Sequence, residues 1–244
     1  MKADNRYAAH EALPAIGTEG QDRISASHVA VIGLGGLGCP ATLYLAAGGI
    51  GRLTLCDFDR VAESNLSRQL LYGPDDVGQF KVDIAARSLL RLRPDLEIER
   101  EKQRVGAVEA QELAAGADLV LDASDNFATR LHVNKACLQQ RTPWVMGAAV
   151  RTEGQLMTFR PDLPDRPCYR CVYGDAPDQL EDCAGAGIFG PVTGIIGSAM
   201  AAHALTLLAG GDPGNRFMAL DAATWEWQGL KSRRKPDCED CSNG

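Results

Sequence analysis

The sequence predicts an α/β protein: a doubly wound, mostly parallel sheet of the Rossmann type. Three observations predict it. The first is the stretch VAVIGLGGLGCPATLYLAAGGIGRLTLCDFD, where the apolar run Val29–Ile32 stops at Gly33. There the glycines Gly33, Gly35, Gly36 and Gly38 lead into a helical pattern over 39–47, and a second strand, 53–56, ends at Asp57. Strand, glycine turn, helix, strand and acid together open a nucleotide-binding βαβ unit, with phosphate on the helix N-terminus and ribose on the acid. The second is the alternation of strand and helix patterns from residue 28 to 160, which implies helices on both faces. The third is size: 244 residues, 45% hydrophobic and 23% charged, suit one α/β domain with one sizeable core.

In order, residues 1–27 read as a polar N-terminal arm, helical near 7–13 and 21–25. The nucleotide-binding core spans 28–160, with helices at about 79–91, 108–115 and 128–140 and strands at 97–101, 119–123, 144–150 and 155–160. Pro94 ends the first of these helices, because proline disfavours helix at the residue before it. From Pro161 prolines, glycines and the acids Asp175, Asp178, Glu181 and Asp182 replace periodicity, so 161–190 reads as one long functional loop. A Gly/Ala/Ser-rich helix over 193–209 follows, then a strand pattern over 217–227 and a basic turn. That helix is nearly long enough to span a bilayer, yet Thr193, His203 and Thr206 fit burial inside protein better.

A net charge of -7 argues against nucleic-acid binding and against an anionic membrane surface. The opening MKADNRYAAH lacks an apolar signal core, so a cytoplasmic setting is expected. In that setting the eight cysteines read as metal or thiol chemistry rather than disulfides. Cys39, Cys56 and Cys137 fall inside predicted elements. Cys168/Cys171 and Cys238/Cys241 form two CxxC pairs, the donor set of a closed structural zinc site; the alternative is one redox dithiol and one incidental pair. Cys183 stands apart, a nucleophile or an inert thiol.

Ligands at strand carboxyl ends meet in one crevice of a doubly wound sheet. Asp57, Asp59 and Asp125 end strands there, while Arg68 and Lys81 follow the second strand and can reach phosphates. Each charge also suits an ordinary solvated surface, and Asp125 also suits capping of the helix after Asn126. As a set they fit a triphosphate with Mg²⁺ better than a dinucleotide.

The motifs GLGGLG (33–38), DFDRVAESNLSRQ (57–69), GQFK (78–81), Asp125-Asn126, CYRC (168–171), CAGAGIFGPVTGIIGS (183–198) and the final CEDC cover nearly the whole chain. Together they resemble the MoeB/ThiF/HesA family of ubiquitin-activating-type adenylyltransferases. The resemblance implies a single adenylation domain over 1–244, with a zinc knuckle and crossover loop at 161–192 and the second knuckle within 193–244. It implies a homodimer that uses ATP and Mg²⁺ to adenylate the C-terminal Gly-Gly of a small ubiquitin-fold sulfur-carrier protein. A separate sulfurtransferase or cysteine desulfurase would then supply sulfur. Asp57 resembles the ribose-binding acid and Asn65, Arg68 and Lys81 the polyphosphate ligands, with Asp59, Gln69 and Asn126 as further nucleotide-binding residues in the same motifs. Asp125 resembles the Mg²⁺-linked acid, and Cys183 the thiol that one branch links to its carrier. The family's arm typically carries a second arginine that reaches the partner subunit's nucleotide; here Arg6-Tyr7-Ala8-Ala9-His10 puts Ala9 in its place. Two other classes share the glycine turn: a nicotinamide-dependent dehydrogenase, and a carrier-binding homologue without turnover.

Overall fold

The computed structural model describes residues 5–174 and 187–242. In chain order the elements are α1 (Ala8–Glu11), α2 (Gly17–Ala26), β1 (His28–Ile32), α3 (Gly38–Ala47), β2 (Arg52–Cys56), α4 (Lys81–Leu92) and β3 (Glu97–Glu101). They continue with α5 (Ala107–Gly116), β4 (Leu119–Asp122), α6 (Phe127–Gln140), β5 (Trp144–Val150), β6 (Glu153–Phe159), α7 (Tyr169–Tyr173), α8 (Gly190–Leu208), β7 (Arg216–Asp221) and β8 (Glu226–Lys231).

All eight strands join one sheet in the order β3-β2-β1-β4-β5-β6-β7-β8. Pairing is parallel from β3 to β5 and antiparallel from β5 to β8. The central strands are apolar on both faces, as a sheet covered twice must be. Val29, Val31, Leu53, Leu55, Leu119 and Leu121 pack under α3, α4 and α8. Ala30, Ile32, Val120, Trp144 and Met146 pack on the other side, against α5, α6 and α7. There Trp144 stacks on Phe159 at 4.5 Å, and Tyr169 stacks on Tyr173 at 4.4 Å.

After β1 the chain turns one way to β2 and β3 and later crosses to β4. The carboxyl ends of β1 and β4 therefore flank the switch point, where such sheets bind ligands. α8 is long and apolar enough to cross a membrane by length and composition. Here it lies over the sheet beside α3, with Val192, Ile196, Met200, Ala201 and Ala204 in the core.

Two expectations need correction. The strand pattern over 217–227 is the hairpin β7–β8, turned by Asp221, whose carboxylate accepts from Ala223 N at 2.8 Å, and by Trp225 at φ 60°. The loop over 161–190 contains the short helix α7; residues 175–186 lie outside the described part. The arm is tied down at its second helix. Gln21 Nε2 donates to Gly48 O at 3.0 Å and Arg23 Nε to Ala209 O at 3.1 Å, at the C-terminal ends of α3 and α8.

Candidate active site

A cavity of about 530 Å³ opens at the switch point. Gly33, at φ 89°, starts the turn after β1 and places a backbone conformation there that other residues adopt only under strain. Gly38, first residue of α3, packs on that turn: a Cβ there would stand 2.0 Å from Gly33 O. Gly38 is thus a packing glycine, while Gly33, Gly35 and Gly36 line the cavity.

Asp57 closes the turn from the neighbouring strand. Its carboxylate accepts from Leu34 N at 2.7 Å and from Asp59 N at 2.8 Å. A carboxylate has about four acceptor positions, so two remain for ribose hydroxyls. Burial pushes the Asp57 carboxyl above its ordinary pKa, against the pull of Lys81 and the two amides. Lys81 is buried and its ammonium lies 2.8 Å from Asp59 Oδ2. Arg68 lines the cavity with one donor on Ser64 O at 3.0 Å; among the described residues it has no carboxylate partner. Gln69 is buried in the wall, and its Oε1 has no hydrogen-bond partner among the described residues.

Across the crevice, Asn126 Oδ1 accepts from Thr129 N at 2.8 Å and caps α6. The capping role open to Asp125 therefore belongs to Asn126. Asp125 is exposed in the cavity, and among the described residues its carboxylate has no hydrogen-bond or ion-pair partner.

Of the residues singled out from sequence, ten line this cavity: Gly33, Gly35, Gly36, Asp57, Asp59, Arg68, Gln69, Lys81, Asp125 and Asn126. Asn65 does not; its Oδ1 accepts from Ala62 N at 3.2 Å and shapes the loop that carries Arg68. Cys183 lies outside the described residues. Ala9 is exposed on α1, packed with α2 at the end of α3 away from the glycine turn, so it is remote from its own chain's cavity.

A buried group that no local pattern reveals stands behind Asp125. Asp122 is fully buried and accepts from Ser124 N at 2.9 Å, while Arg130 Nη2 donates to Ser124 O at 2.7 Å. Both fix the turn that presents Asp125. Burial drives the Asp122 carboxyl pKa up, with Arg130 acting the other way. An acid closing an apolar strand and an arginine inside a helix pattern were the available signals.

The second constellation is the cysteine cluster. Sγ atoms of Cys168, Cys171, Cys238 and Cys241 lie within 4.8 Å of one another, all four residues buried. Cys168–Cys238 and Cys171–Cys241 are 3.5 Å apart and Cys168–Cys171 3.8 Å. Tetrahedral zinc with bonds of about 2.3 Å needs edges of about 3.8 Å, so the donor set and spacing fit zinc. Outside the cluster, Asn134 Nδ2 donates to Asp240 Oδ2, while Asn134 Oδ1 accepts from Tyr169 N, each at 2.8 Å. Helix α6 is thereby bolted to both knuckles. Cys39 and Cys56 are buried thiols pushed up to about 12, inert at neutral pH.

Residues 7–240 match the ThiF family. The chain belongs to the ThiF family. It is 41% identical to the SAMP-activating enzyme E1 of Haloferax volcanii, over 98% of this chain and 89% of that protein. It is 38% identical to the sulfur carrier protein ThiS adenylyltransferase of Escherichia coli, over 97% and 94% of the two chains. The molybdopterin-synthase adenylyltransferase of the same organism is 40% identical, over 97% and 95%. Among solved structures, Escherichia coli MccB with MccA-N7isoASN superposes with a TM-score of 0.86, over 98% of this chain and 75% of that one, at 23% identity. That likeness bears on the fold, which this ThiF-family chain shares.

Proposed function

We propose that this chain is a nucleotidyltransferase that adenylates the C-terminal Gly-Gly carboxylate of a small ubiquitin-fold sulfur-carrier protein. The observation that carries the reading is the composition of one cavity: glycine turn, ribose-side acid, two cations and an unpaired acid at the switch point. The named adenylyltransferase relatives support the same reaction. A dehydrogenase shares only the turn and Asp57; it leaves Arg68 and Lys81 without a role.

The carrier carboxylate is already ionised, so no general base is needed. Its oxygen attacks the α-phosphorus of ATP, the α–β bridging bond breaks, and pyrophosphate leaves with the electron pair. The turn amides hold the phosphates, Asp57 takes ribose hydroxyls, and Arg68 and Lys81 face the charge that grows on the leaving group. Catalysis is positioning plus charge stabilisation. Asp125 has the chemistry to hold Mg²⁺, which neutralises phosphate charge when bound. The four cysteines would hold one structural zinc that ties the loop before residue 175 to the C-terminal segment.

The working form in this reading is a cytoplasmic homodimer, with the arm directed at the partner's cavity and Ala9 where the family's arginine sits. The carrier tail would bring its carboxylate to the nucleotide in this cavity, and a sulfurtransferase or cysteine desulfurase would act afterwards. ATP–pyrophosphate exchange tests the reading: exchange should appear only with a Gly-Gly-ended carrier present.

A further inference from the structure

The cavity wall beyond Asp57 carries a pair that the reaction above does not use. The Arg104 guanidinium carbon lies 4.1 Å from the centre of the Phe58 ring, and both residues line the cavity. Phe58 directly follows Asp57 and is 42% exposed, a large apolar ring left facing the opening. Arg104 follows β3, in a segment held at Val105 by its carbonyl, which accepts from Thr129 Oγ1 at 3.4 Å. Its basic neighbours are spoken for: Arg100 and Lys102 both pair with Asp83, and Lys102 also lies over Phe80, outside the cavity lining. Among the described residues Arg104 has no carboxylate partner, so the ring is its fixed contact.

Strand order gives this pair its place. The glycine turn follows β1, the ribose-side acid follows β2, and Arg104 follows β3, with about 4.8 Å between adjacent strands. A nucleotide with its phosphates at the turn and its ribose on Asp57 therefore extends its remaining part, the base, toward Arg104. We propose that Arg104, held flat by Phe58, is the wall against which the nucleobase packs, and so a specificity-determining residue for the nucleotide. A planar guanidinium stacks on an aromatic base where a lysine ammonium does not.

The inference rests on the nucleotide reading of the cavity, and the test separates the two. Binding of ATP and of inorganic tripolyphosphate, which has neither base nor sugar, is measured by calorimetry on wild type, Arg104→Ala, Arg104→Lys and Phe58→Ala. A contact of about 1 kcal/mol corresponds to about fivefold in affinity. Arg104→Ala should weaken ATP about fivefold and leave tripolyphosphate within about twofold. Arg104→Lys, which keeps the charge, should lose nearly as much, and Phe58→Ala at least as much. Equal weakening of both ligands would make Arg104 a phosphate contact and overturn the proposal, as would unchanged ATP affinity. A wild type that binds tripolyphosphate as tightly as ATP would also overturn it while sparing the phosphate cradle. A wild type that binds neither ligand would overturn the nucleotide reading itself.

Discussion

Lys81 Nζ stands 2.8 Å from Asp59 Oδ2, and the two partners are unequally placed: 6% of the Lys81 side chain is exposed against 47% of Asp59. The buried member is the cation. Removing Asp59 leaves the buried ammonium with only Asp57 to offset its desolvation, and removing Lys81 leaves buried Asp57 without its cation, so both substitutions cost stability. Asp59→Asn and Lys81→Met should each destabilise the protein by about 1–3 kcal/mol. Tripolyphosphate should restore much of the Asp59→Asn melting temperature by supplying the missing charge. In pyrophosphate exchange the two part: Lys81→Met should lose about 10²–10³ in rate, and Asp59→Asn far less. Equal effects of the two substitutions on exchange would contradict this division of roles.

Asp125 and Asn126 adjoin in sequence and separate in duty. Asn126 holds the cap of α6, and Asp125 points into the cavity without a partner among the described residues. Asn126→Ala should cost about 1 kcal/mol of stability. Asp125→Ala should leave the melting temperature close to wild type and abolish exchange. Residual exchange above a tenth of wild type in Asp125→Ala would remove it from the chemistry.

Much of this was legible in the sequence, and the exceptions have physical causes. The β1–turn–α3–β2 unit shows itself because glycine spacing, apolar runs and Asp57 are all local. Helix α8 begins at Gly190 rather than near Thr193 because Pro191 occupies its first turn, where a missing N–H costs nothing. The β7–β8 hairpin hid because its turn contains neither glycine nor proline and uses the Asp221 side chain and a left-handed Trp225 instead. Asp122 and Arg130 were passed over because burial of a charged pair depends on what the fold places around it. The paired CxxC motifs announced their donor set, but only the fold shows Asn134 joining them to α6.

Metal analysis of purified protein should give close to one zinc per chain. Cys238→Ser should lose the metal and melt earlier, since such sites contribute folding energy directly. Asn134→Ala should keep the metal and still lower the melting temperature, because it breaks the two hydrogen bonds behind the knuckles. A stable, metal-free wild type would refute the zinc assignment.

Ala9 sits exposed on the arm, away from its own chain's cavity. If the arm serves the partner's site, Ala9→Arg should raise single-turnover adenylate formation at least tenfold, with ATP affinity changed far less. One added donor to transition-state charge is typically worth about 10²–10³. An unaltered rate with the true carrier present would refute the arm-arginine account.

The most direct measurement is ATP–pyrophosphate exchange against a panel of small Gly-Gly-ended proteins from the same organism, run with wild type and Asp125→Ala. Exchange should appear with at least one carrier, and be absent without it, when its terminal Gly-Gly is removed, and in the variant. Tight NAD binding with no exchange across the whole panel would contradict the adenylation reading.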